Sequence, residues 1–346
     1  MRDIRFGDDG VVTKRATAGR AKLLREIEWL RRVRPWAPAH FPEVLGVRFG
    51  DGWAEYDMPF CPWPTLAELV LSDRVSADGA VRIASPILDL AFREVYARQR
   101  AEAPREAFRT EYLQKLVHRV GAGAGQSRTF DALCRASSLE VNGAACRSPL
   151  ELARAIDADR ALCARLQPPH AGPFHGDFKI DNFLVAPVPG EFILIDPRGS
   201  TTTGSNDGDY LEDVAKLRTS TRGLYDLVRG GMLRPVVDGT RVHLACDDAG
   251  RRAAGVLAAL DHALMQPIPA RAAALDDAGF AVRLAFLTPM LLLANAPFQL
   301  APVTPATERI AVALFAIGAL LLEIAVREVR CEPGAAHLRA LQEAAQ

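Results

Sequence analysis

The residues of this chain that are best suited to chemistry lie in one stretch, 175–200, with the sequence HGDFKIDNFLVAPVPGEFILIDPRGS. This stretch contains the carboxylate of Asp177, the amide of Asn182 and the carboxylate of Asp196. An amide oxygen and a carboxylate at one place suit a Mg²⁺ ion that phosphate oxygens also help to hold. A further carboxylate can orient an attacking hydroxyl, so these groups together are what phosphoryl transfer requires.

The same stretch predicts a β-hairpin that would bring two of these groups together. FLVA and EFILI are short apolar runs of β type, and the turn residues PVPG separate them. In a tight hairpin Asn182 falls opposite Ile195, so the side chains of Asn182 and Asp196 would lie side by side at the open end. Asp177 lies on the loop just before the hairpin, where it can meet a substrate hydroxyl.

The order His175-Gly176-Asp177, then Asn182, then Ile195-Asp196 resembles the catalytic core of the aminoglycoside phosphotransferase and choline kinase-like families, which are relatives of the protein kinases. The resemblance implies a two-lobed, protein-kinase-like α+β fold, with a small N-terminal β-sheet lobe that contains one helix and a large, mostly helical C-terminal lobe. It covers most of residues 1–225, although only the motifs within 175–217 are specific. The alternative is a glycine-containing turn followed by an ordinary hairpin.

The resemblance also implies roles for the residues of this core. Asp177 would be the general base, or the group that orients the acceptor hydroxyl, and Asn182 and Asp196 would hold Mg²⁺. Lys179 lies where protein kinases carry a lysine directed at the γ-phosphate of ATP. The alternative for Lys179 is a solvated loop lysine.

Four further residues are expected to support the loop rather than to react. His175 would brace it through a hydrogen bond to the backbone, and Gly176 would adopt a conformation that a β-carbon hinders. Asp213, in a stretch that resembles the family pattern Gly-Asp-Pro-x-x-Asp-Leu-Ala, would bind the loop from below. Arg198 could bind an anionic group of the acceptor or fix the segment that follows it.

The N-terminal segment predicts a small nucleotide-binding sheet. Strands are predicted at Asp3–Phe6 and Val11–Lys14, followed by an amphipathic helix, RAKLLREIEWLRRV. Glu26 lies at the edge of the apolar stripe of that helix, so it can turn inward. The resemblance implies that Lys14 holds the α- and β-phosphates of the nucleotide and pairs with Glu26. Taken singly, either residue could be a surface charge.

The chain departs from the kinase pattern before Lys14. Only thirteen residues precede this lysine, so the usual first strand and the Gly-rich turn over the phosphates have no clear counterpart. Two acidic residues in the turn GDDG would repel phosphates. The alternative function is therefore a catalytically weak pseudokinase that senses a nucleotide or binds a partner. A protein kinase is less favoured, because the segment after Asp196 is short and no Ala-Pro-Glu follows it.

The remaining strands of the sheet are predicted at Phe41–Val47 and Trp53–Met58, and the Pro-rich segment after them resembles a hinge between lobes. This places an N-terminal lobe at residues 1–60 and a C-terminal lobe at 61–346. The cofactor would be ATP, with GTP also possible, and its adenine would meet the backbone near the end of the last strand. The residues expected at this adenine edge are Tyr56, Asp57 and Met58.

Composition restricts the class of protein further. The chain has 346 residues, 49% of them apolar and 24% charged, and a net charge of zero, which is ordinary for a globular protein and gives no sign of a nucleic-acid partner. Six scattered cysteines and a charged N-terminus without an apolar segment favour a cytoplasmic location. The apolar run 310–322 is too short to span a membrane and is followed by Glu323, so it predicts a buried helix and no membrane partner.

The acceptor is the least determined part of the prediction. Related small-molecule kinases build their acceptor site from the helical segment between hinge and loop, and this segment holds no acidic cluster that would suit a polycationic aminoglycoside. A hydroxyl of a sugar, a cyclitol or an amino alcohol is the expected target. The sequence leaves the oligomeric state open.

Overall fold

The computed structural model describes residues 2–7 and 10–330, and these form an α+β fold, which confirms the predicted class. The strands are β1 (Arg2–Phe6), β2 (Val11–Ala16), β3 (Gly46–Gly50), β4 (Trp53–Pro59), β5 (Ala101–Glu102), β6 (Ser138–Val141), β7 (Ala144–Arg147), β8 (His170–Pro173), β9 (Phe183–Val185), β10 (Phe192–Leu194), β11 (Asp207–Gly208), β12 (Leu233–Asp238) and β13 (Arg241–Cys246). The α-helices are α1 (Arg20–Val33), α2 (Leu66–Leu71), α3 (Ala77–Leu90), α4 (Lys115–Gly123), α5 (Arg128–Arg135), α6 (Pro149–Ala158), α7 (Arg160–Leu166), α8 (Tyr210–Thr221), α9 (Tyr225–Arg229), α10 (Asp248–Met265), α11 (Ile268–Ala274), α12 (Phe280–Asn295) and α13 (Pro305–Val329).

The N-terminal part is a small antiparallel sheet in the order β1-β2-β4-β3, with α1 packed against it. The first two predicted strands and the helix after them are confirmed, while the acidic residues of the turn between the strands lie outside the described residues. The third strand begins at Gly46 and not at Phe41, because Pro42 has no N–H to give to a strand ladder. Phe41 is instead buried with its ring 5.3 Å from that of Trp29.

The C-terminal part is mostly helical and encloses the larger core, with α12 packed against both α13 and α8. It also contains a four-stranded sheet in the order β12-β13-β6-β7, in a region where the sequence had indicated mostly helices. Two tight turns close its hairpins, at Asn142-Gly143 and at Gly239-Thr240. Asn142, Gly143 and Gly239 have φ values of 46°, 78° and 61°, the left-handed backbone that hairpin turns of this kind use.

Two helical segments of this part, 280–300 and 305–329, are long and apolar enough to cross a membrane by length and composition. Both are mostly covered by protein, and every residue from Ala311 to Val326 is buried. The buried helix predicted from the apolar run 310–322 is therefore confirmed. Glu323, inside this helix, is buried as well and accepts hydrogen bonds from the side chains of Arg147 and Arg327.

The elements that hold the polar residues of the stretch 175–200 meet where the two parts face each other. A loop of residues 175–182, called here the HGD loop, follows β8 and leads into the hairpin β9–β10. Helix α8 packs against β8, and α2 packs against β9. On the N-terminal side β4 ends at Pro59 and α2 begins at Leu66, which brackets the predicted hinge.

Candidate active site

The hairpin β9–β10 has the register that the sequence predicts. Phe183 pairs with Leu194 and Val185 with Phe192. The same register continues to the open end, where the N–H of Ile195 donates to the carbonyl oxygen of Asn182 at 3.1 Å. The backbone therefore carries Asn182 and Asp196 to the same end of one hairpin, as a tight turn requires.

Asp177 lies at the centre of a set of positive and amide groups. Lys216 Nζ donates to Asp177 Oδ1 at 3.1 Å, and Lys179 Nζ lies 3.5 Å from Asp177 Oδ2. Asn182 Nδ2 donates to the carbonyl oxygen of Asp177 at 2.7 Å and to its Oδ2 at 3.3 Å. The carboxylate is thus held by two ammonium groups and one amide.

These neighbours decide the ionisation of Asp177. Burial raises the pKa of its carboxyl, but the charges of Lys216, Lys179 and Arg198 outweigh burial and hold the pKa below its usual range. Asp177 is therefore ionised throughout the neutral range. A carboxylate of such low basicity acts mainly by orienting a hydroxyl, which suits a loose phosphoryl-transfer transition state.

Lys179 is buried, with only 6% of its surface exposed, so it is not the solvated loop lysine of the alternative. Its ammonium lies 3.1 Å from Asp181 Oδ2 and 4.6 Å from the centre of the Tyr225 ring. Burial lowers the pKa of Lys179, but Asp177 and its other neighbours raise the pKa above the usual range. The side chain is a fixed positive charge beside Asp177.

Asp213 on α8 binds the backbone of the HGD loop, as expected. The N–H groups of His175 and Gly176 donate to its two carboxylate oxygens, each at 2.6 Å, and the Tyr96 hydroxyl donates to Oδ2 at 3.0 Å. Gly176 has φ 79°, and a Cβ there would lie 2.9 Å from Cβ of Arg198. The prediction that this position requires glycine is confirmed.

His175 supports the loop from within. Its ring is buried, 5.7 Å from the Trp29 ring, and Nδ1 accepts a long hydrogen bond of 3.4 Å from the N–H of Asp177. Its carbonyl oxygen accepts from the N–H of Arg198 at 2.7 Å. Burial lowers the pKa of His175 to about 4, so the ring is neutral at physiological pH.

Lys14 lies between the two parts of the molecule. Its ammonium forms ion pairs with Glu26 on α1 and with Asp196 at the end of the hairpin. Lys14 and Glu26 are both buried, so neither is a surface charge. The Tyr56 hydroxyl donates to Glu26 Oε1 at 2.8 Å and so holds that carboxylate in place.

The three residues predicted at the adenine edge differ in their surroundings. The Tyr56 side chain is buried behind the sheet, and Met58 is half-buried beside it. Asp57 accepts hydrogen bonds from Thr13 Oγ1 at 2.6 Å and from Arg48 Nη2 at 2.8 Å. An adenine contact to the backbone at the end of β4 stays a prediction.

The donor set at the open end of the hairpin is compatible with Mg²⁺. Because its Nδ2 donates to Asp177, the amide of Asn182 has its oxygen directed away from that residue, and the Asp196 carboxylate is partly exposed. Among the described residues, no group of three or more His, Cys, Asp or Glu is placed to hold a metal ion. One carboxylate and one amide fit a Mg²⁺ ion that phosphate oxygens and water also coordinate, and they do not fit a metal held by protein alone.

A cavity of about 240 Å³ opens beside Asp177 and Asp196. These two are its acidic lining residues, whereas the cationic ones number six: Lys22, Lys115, Arg119, Lys179, Arg198 and Lys216. One wall is apolar and includes Leu291 and Phe298. A larger cleft, of about 900 Å³, is lined by ionisable groups that pair with each other, such as Arg109 and Asp157, and it contains no predicted site residue.

Four of the cationic residues were not singled out by sequence reasoning: Lys22, Lys115, Arg119 and Lys216. Lys216 lies three residues after Asp213 on α8, the spacing that puts both on one side of a helix. Lys115 and Arg119 lie four residues apart on α4, and both line the cavity. Two like charges on one face of a helix destabilise it, so this pair in the sequence was a signal that the two residues have a role in binding.

Arg198 combines both of its suggested roles. Its Nη1 lies 3.3 Å from Oε1 of the buried Glu212 on α8, which fixes the segment after the hairpin. Its side chain also lines the cavity. The guanidinium therefore contributes positive charge next to Asp177 while it is held by α8.

Comparison with known proteins gives distant similarities only. No protein-family model and no curated protein matches this chain. Among solved structures, an aminoglycoside phosphotransferase from Streptomyces rimosus in complex with ADP and streptomycin is 16% identical, over 75% of this chain and 89% of its own, with a TM-score of 0.42. Another structure of that phosphotransferase is 17% identical, over 76% and 92%, with a TM-score of 0.40. An aminoglycoside-3′-phosphotransferase of type VIII is 16% identical, over 76% and 93%, with a TM-score of 0.36.

Proposed function

We propose that this chain is an ATP- and Mg²⁺-dependent phosphotransferase that moves the γ-phosphate to a hydroxyl of a small molecule. The observation that carries this proposal is the arrangement of Asp177, held between Lys179 and Lys216, beside the Lys14–Asp196 ion pair. Folding alone does not require so many buried charges at one cavity. Phosphoryl transfer does require a positioned carboxylate next to fixed positive charge.

Each part of the arrangement has a role in this proposal. Asp177 orients the acceptor hydroxyl, and Lys179 stabilises negative charge that develops on the transferred group. Lys14, held by Glu26, binds nucleotide phosphates. Asn182 and Asp196 would hold Mg²⁺, which would supply positive charge to neutralise the phosphates. Domains at 1–60 and 61–346 would then bind the nucleotide between them, with its adenine near Tyr56, Asp57 and Met58.

Nucleotide binding is tested by thermal unfolding of the wild type and of Asp196→Ala with ATP or GTP, each with and without Mg²⁺. We expect a nucleotide-dependent rise in Tm in the wild type that needs Mg²⁺ and is lost in the variant, because one metal ligand is removed. A wild type without any metal-dependent shift would contradict the proposal. The same measurement decides between ATP and GTP.

The second candidate function is a catalytically weak pseudokinase that senses a nucleotide or binds a partner. It is favoured by one observation, since only two described strands, β1 and β2, precede α1. The retained set Asp177, Asn182 and Asp196 favours an enzyme. Release of ADP from ATP, measured over a panel of hydroxylated metabolites, separates the two, because a pseudokinase would bind nucleotide without acceptor-dependent turnover.

A further inference from the structure

The charged residues that line the cavity beside Asp177 come from two different groups of elements. Lys179 and Asp196 belong to the HGD loop and the hairpin, where the nucleotide phosphates are expected. Lys115 and Arg119 instead project from α4, a helix between hinge and loop. Asn295 and Phe298, from the end of α12 onwards, complete this side of the cavity. The α4 side therefore carries positive charge that the proposed nucleotide site does not use.

Lys115 is the most informative residue there, because 94% of its surface is buried, leaving 6% exposed. Within the described chain, no carboxylate forms a hydrogen bond or ion pair with its ammonium. Glu212 supplies the compensating charge that acts on Lys115, and Glu212 also pairs with Arg198. A largely buried lysine that lines the cavity without a direct partner costs stability in the free protein, and an anionic ligand in the cavity would offset that cost.

The surroundings of Arg119 independently indicate an anionic ligand in the cavity. Its guanidinium lies 4.4 Å from the centre of the Phe298 ring, on the cavity wall, and it too has no ion pair within the described residues. A guanidinium stacked on an aromatic ring keeps its N–H groups at the edge available to an oxygen anion. Burial and the nearby charge of Arg198 lower the pKa of Arg119 to about 10, so it remains positive.

We propose, resting on the phosphotransferase function above, that the acceptor is a hydroxylated small molecule that carries a phosphate or carboxylate group, bound by Lys115 and Arg119. Arg198 and Lys216 strengthen the positive potential between this anionic group and Asp177. The same potential repels cationic acceptors, both singly charged amino sugars and polycations. Asn295 offers an amide to a neutral hydroxyl of the acceptor.

The proposed transfer needs no reactant other than ATP and the acceptor. The acceptor oxygen forms a bond to the γ-phosphorus of ATP, and the bond from that phosphorus to the β–γ bridging oxygen breaks. ADP leaves with the electron pair of the broken bond. The hydroxyl proton passes to Asp177 and then to water, because the carboxylate is weakly basic.

Binding is tested with inorganic phosphate and with glucose 6-phosphate, glucuronate, glucose and glucosamine, at constant ionic strength and with saturating Mg-ADP. We expect one or both of the hexose anions to raise Tm, whereas glucose and glucosamine do not. Lys115→Met and Arg119→Met should each weaken anion binding about tenfold or more. Arg128→Met, an exposed residue on α5, removes the same charge and should change nothing.

The outcomes separate the two proposals. Anions that fail to bind, or that bind equally to the double variant Lys115→Met with Arg119→Met, would overturn the anionic acceptor site. Faster ADP release with glucose or glucosamine than with the anionic hexoses would overturn it as well, yet leave the phosphotransferase intact. Variant-sensitive anion binding without nucleotide binding would support the site and contradict the phosphotransferase. A response to the phosphate ester alone, or to glucuronate alone, identifies the anionic group.

Discussion

Asp177 is held between two lysines, and this setting explains why the carboxylate remains ionised and why its direction is fixed. Both oxygens are engaged by ammonium groups, from Lys216 and Lys179. In the proposed reaction, a group restrained in this way would align the hydroxyl with the phosphorus and would take up the proton only late. Positioning of this kind accounts for a large share of the barrier reduction in phosphoryl transfer.

Replacement of Asp177 by Asn should therefore lower kcat by about 10²–10⁴-fold, because the oriented negative charge is lost. Affinity for Mg-ATP should change little, since Lys14 and Asp196 remain. Steady-state kinetics and nucleotide titration measure both quantities. Asp238→Asn, at the exposed end of β12, is the matched control. Full turnover in Asp177→Asn would show that the residue has no part in the reaction.

Lys115 makes the free energy of unfolding depend on pH. Burial lowers its pKa from 10.5 to about 7; the charge of Glu212 opposes this shift, and the charges of Arg198, Arg119 and Lys216 add to it. Because the folded pKa is depressed, the unfolded chain binds more protons between about pH 7 and 10.5, so this group favours folding increasingly as pH rises through that window. At neutral pH the charged form of Lys115 destabilises the folded state.

Lys115→Met should therefore be more stable than the wild type near pH 7, by on the order of 1 kcal/mol, and the difference should shrink towards pH 10. Urea unfolding at several pH values measures this. The same variant should lose anion binding. If Lys115 had only a structural role, its replacement would leave anion binding unchanged. A wild type that is more stable than the variant at pH 7 would contradict the account of an uncompensated buried charge.

At the scale of elements, α8 is the support on which the HGD loop rests. Its N-terminal region supplies Asp213, which binds two loop N–H groups, and Lys216, which binds Asp177. The helix is itself anchored by Arg283 on α12, which pairs with the capping residue Asp209 and with Asp277, all three buried. Tyr210, which stands where the family pattern has proline, donates to Asp277 at 2.8 Å. One helix thus fixes both the backbone and a side chain of the site.

Asp213→Asn keeps the size of the side chain but offers one acceptor oxygen where two are used. One loop N–H would lose its partner, so we expect a loss of roughly 1–3 kcal/mol in the free energy of unfolding. Turnover should fall more steeply than nucleotide affinity, because the displaced loop carries Asp177. Chemical unfolding and steady-state kinetics test this, with Glu140→Gln on the exposed side of β6 as control. Unchanged stability would exclude the bracing role.

On the scale of the whole molecule, α13 forms the centre of the larger core. Its middle turns are buried on all sides, and Gly318 allows a close approach to Leu293, whose Cγ would lie 2.7 Å from an added Cβ. Glu323 is the one acidic residue in the buried part of this helix, from Ala311 to Val326. It connects the helix to the second sheet, since Arg147 on β7 donates to it through both backbone and side chain.

Glu323→Gln should lower the free energy of unfolding by roughly 2–4 kcal/mol, because the buried charge that balances Arg147 and Arg327 is removed. Thermal or urea unfolding of the purified protein gives the value. Glu328→Gln lies one turn further along the same helix, is exposed, and should have almost no effect. Equal stability of the two variants would show that the ion pairs do not hold the helix and the second sheet together.

Local signals in the sequence were sufficient for several features of this molecule. The hairpin register follows from the length of its turn, the glycine requirement at Gly176 follows from its position in the loop, and the burial of α13 follows from its apolar run. The second sheet could also have been predicted, because the dipeptides Asn142-Gly143 and Asp238-Gly239 are typical sequence signals of a hairpin. These features depend on residues that are close together in the chain.

Tertiary structure alone decided the character of the cavity. Lys115, Lys179 and Lys216 come from three separate elements, and neither composition nor periodicity reveals that their ammonium groups face one space. The net charge of the chain is zero, which concealed a site where cations predominate. Electrostatic potential depends on distances in space, so the sequence indicated the HGD loop as the place for chemistry, whereas the packing of α4 and α8 determined the positive charge of the cavity beside it.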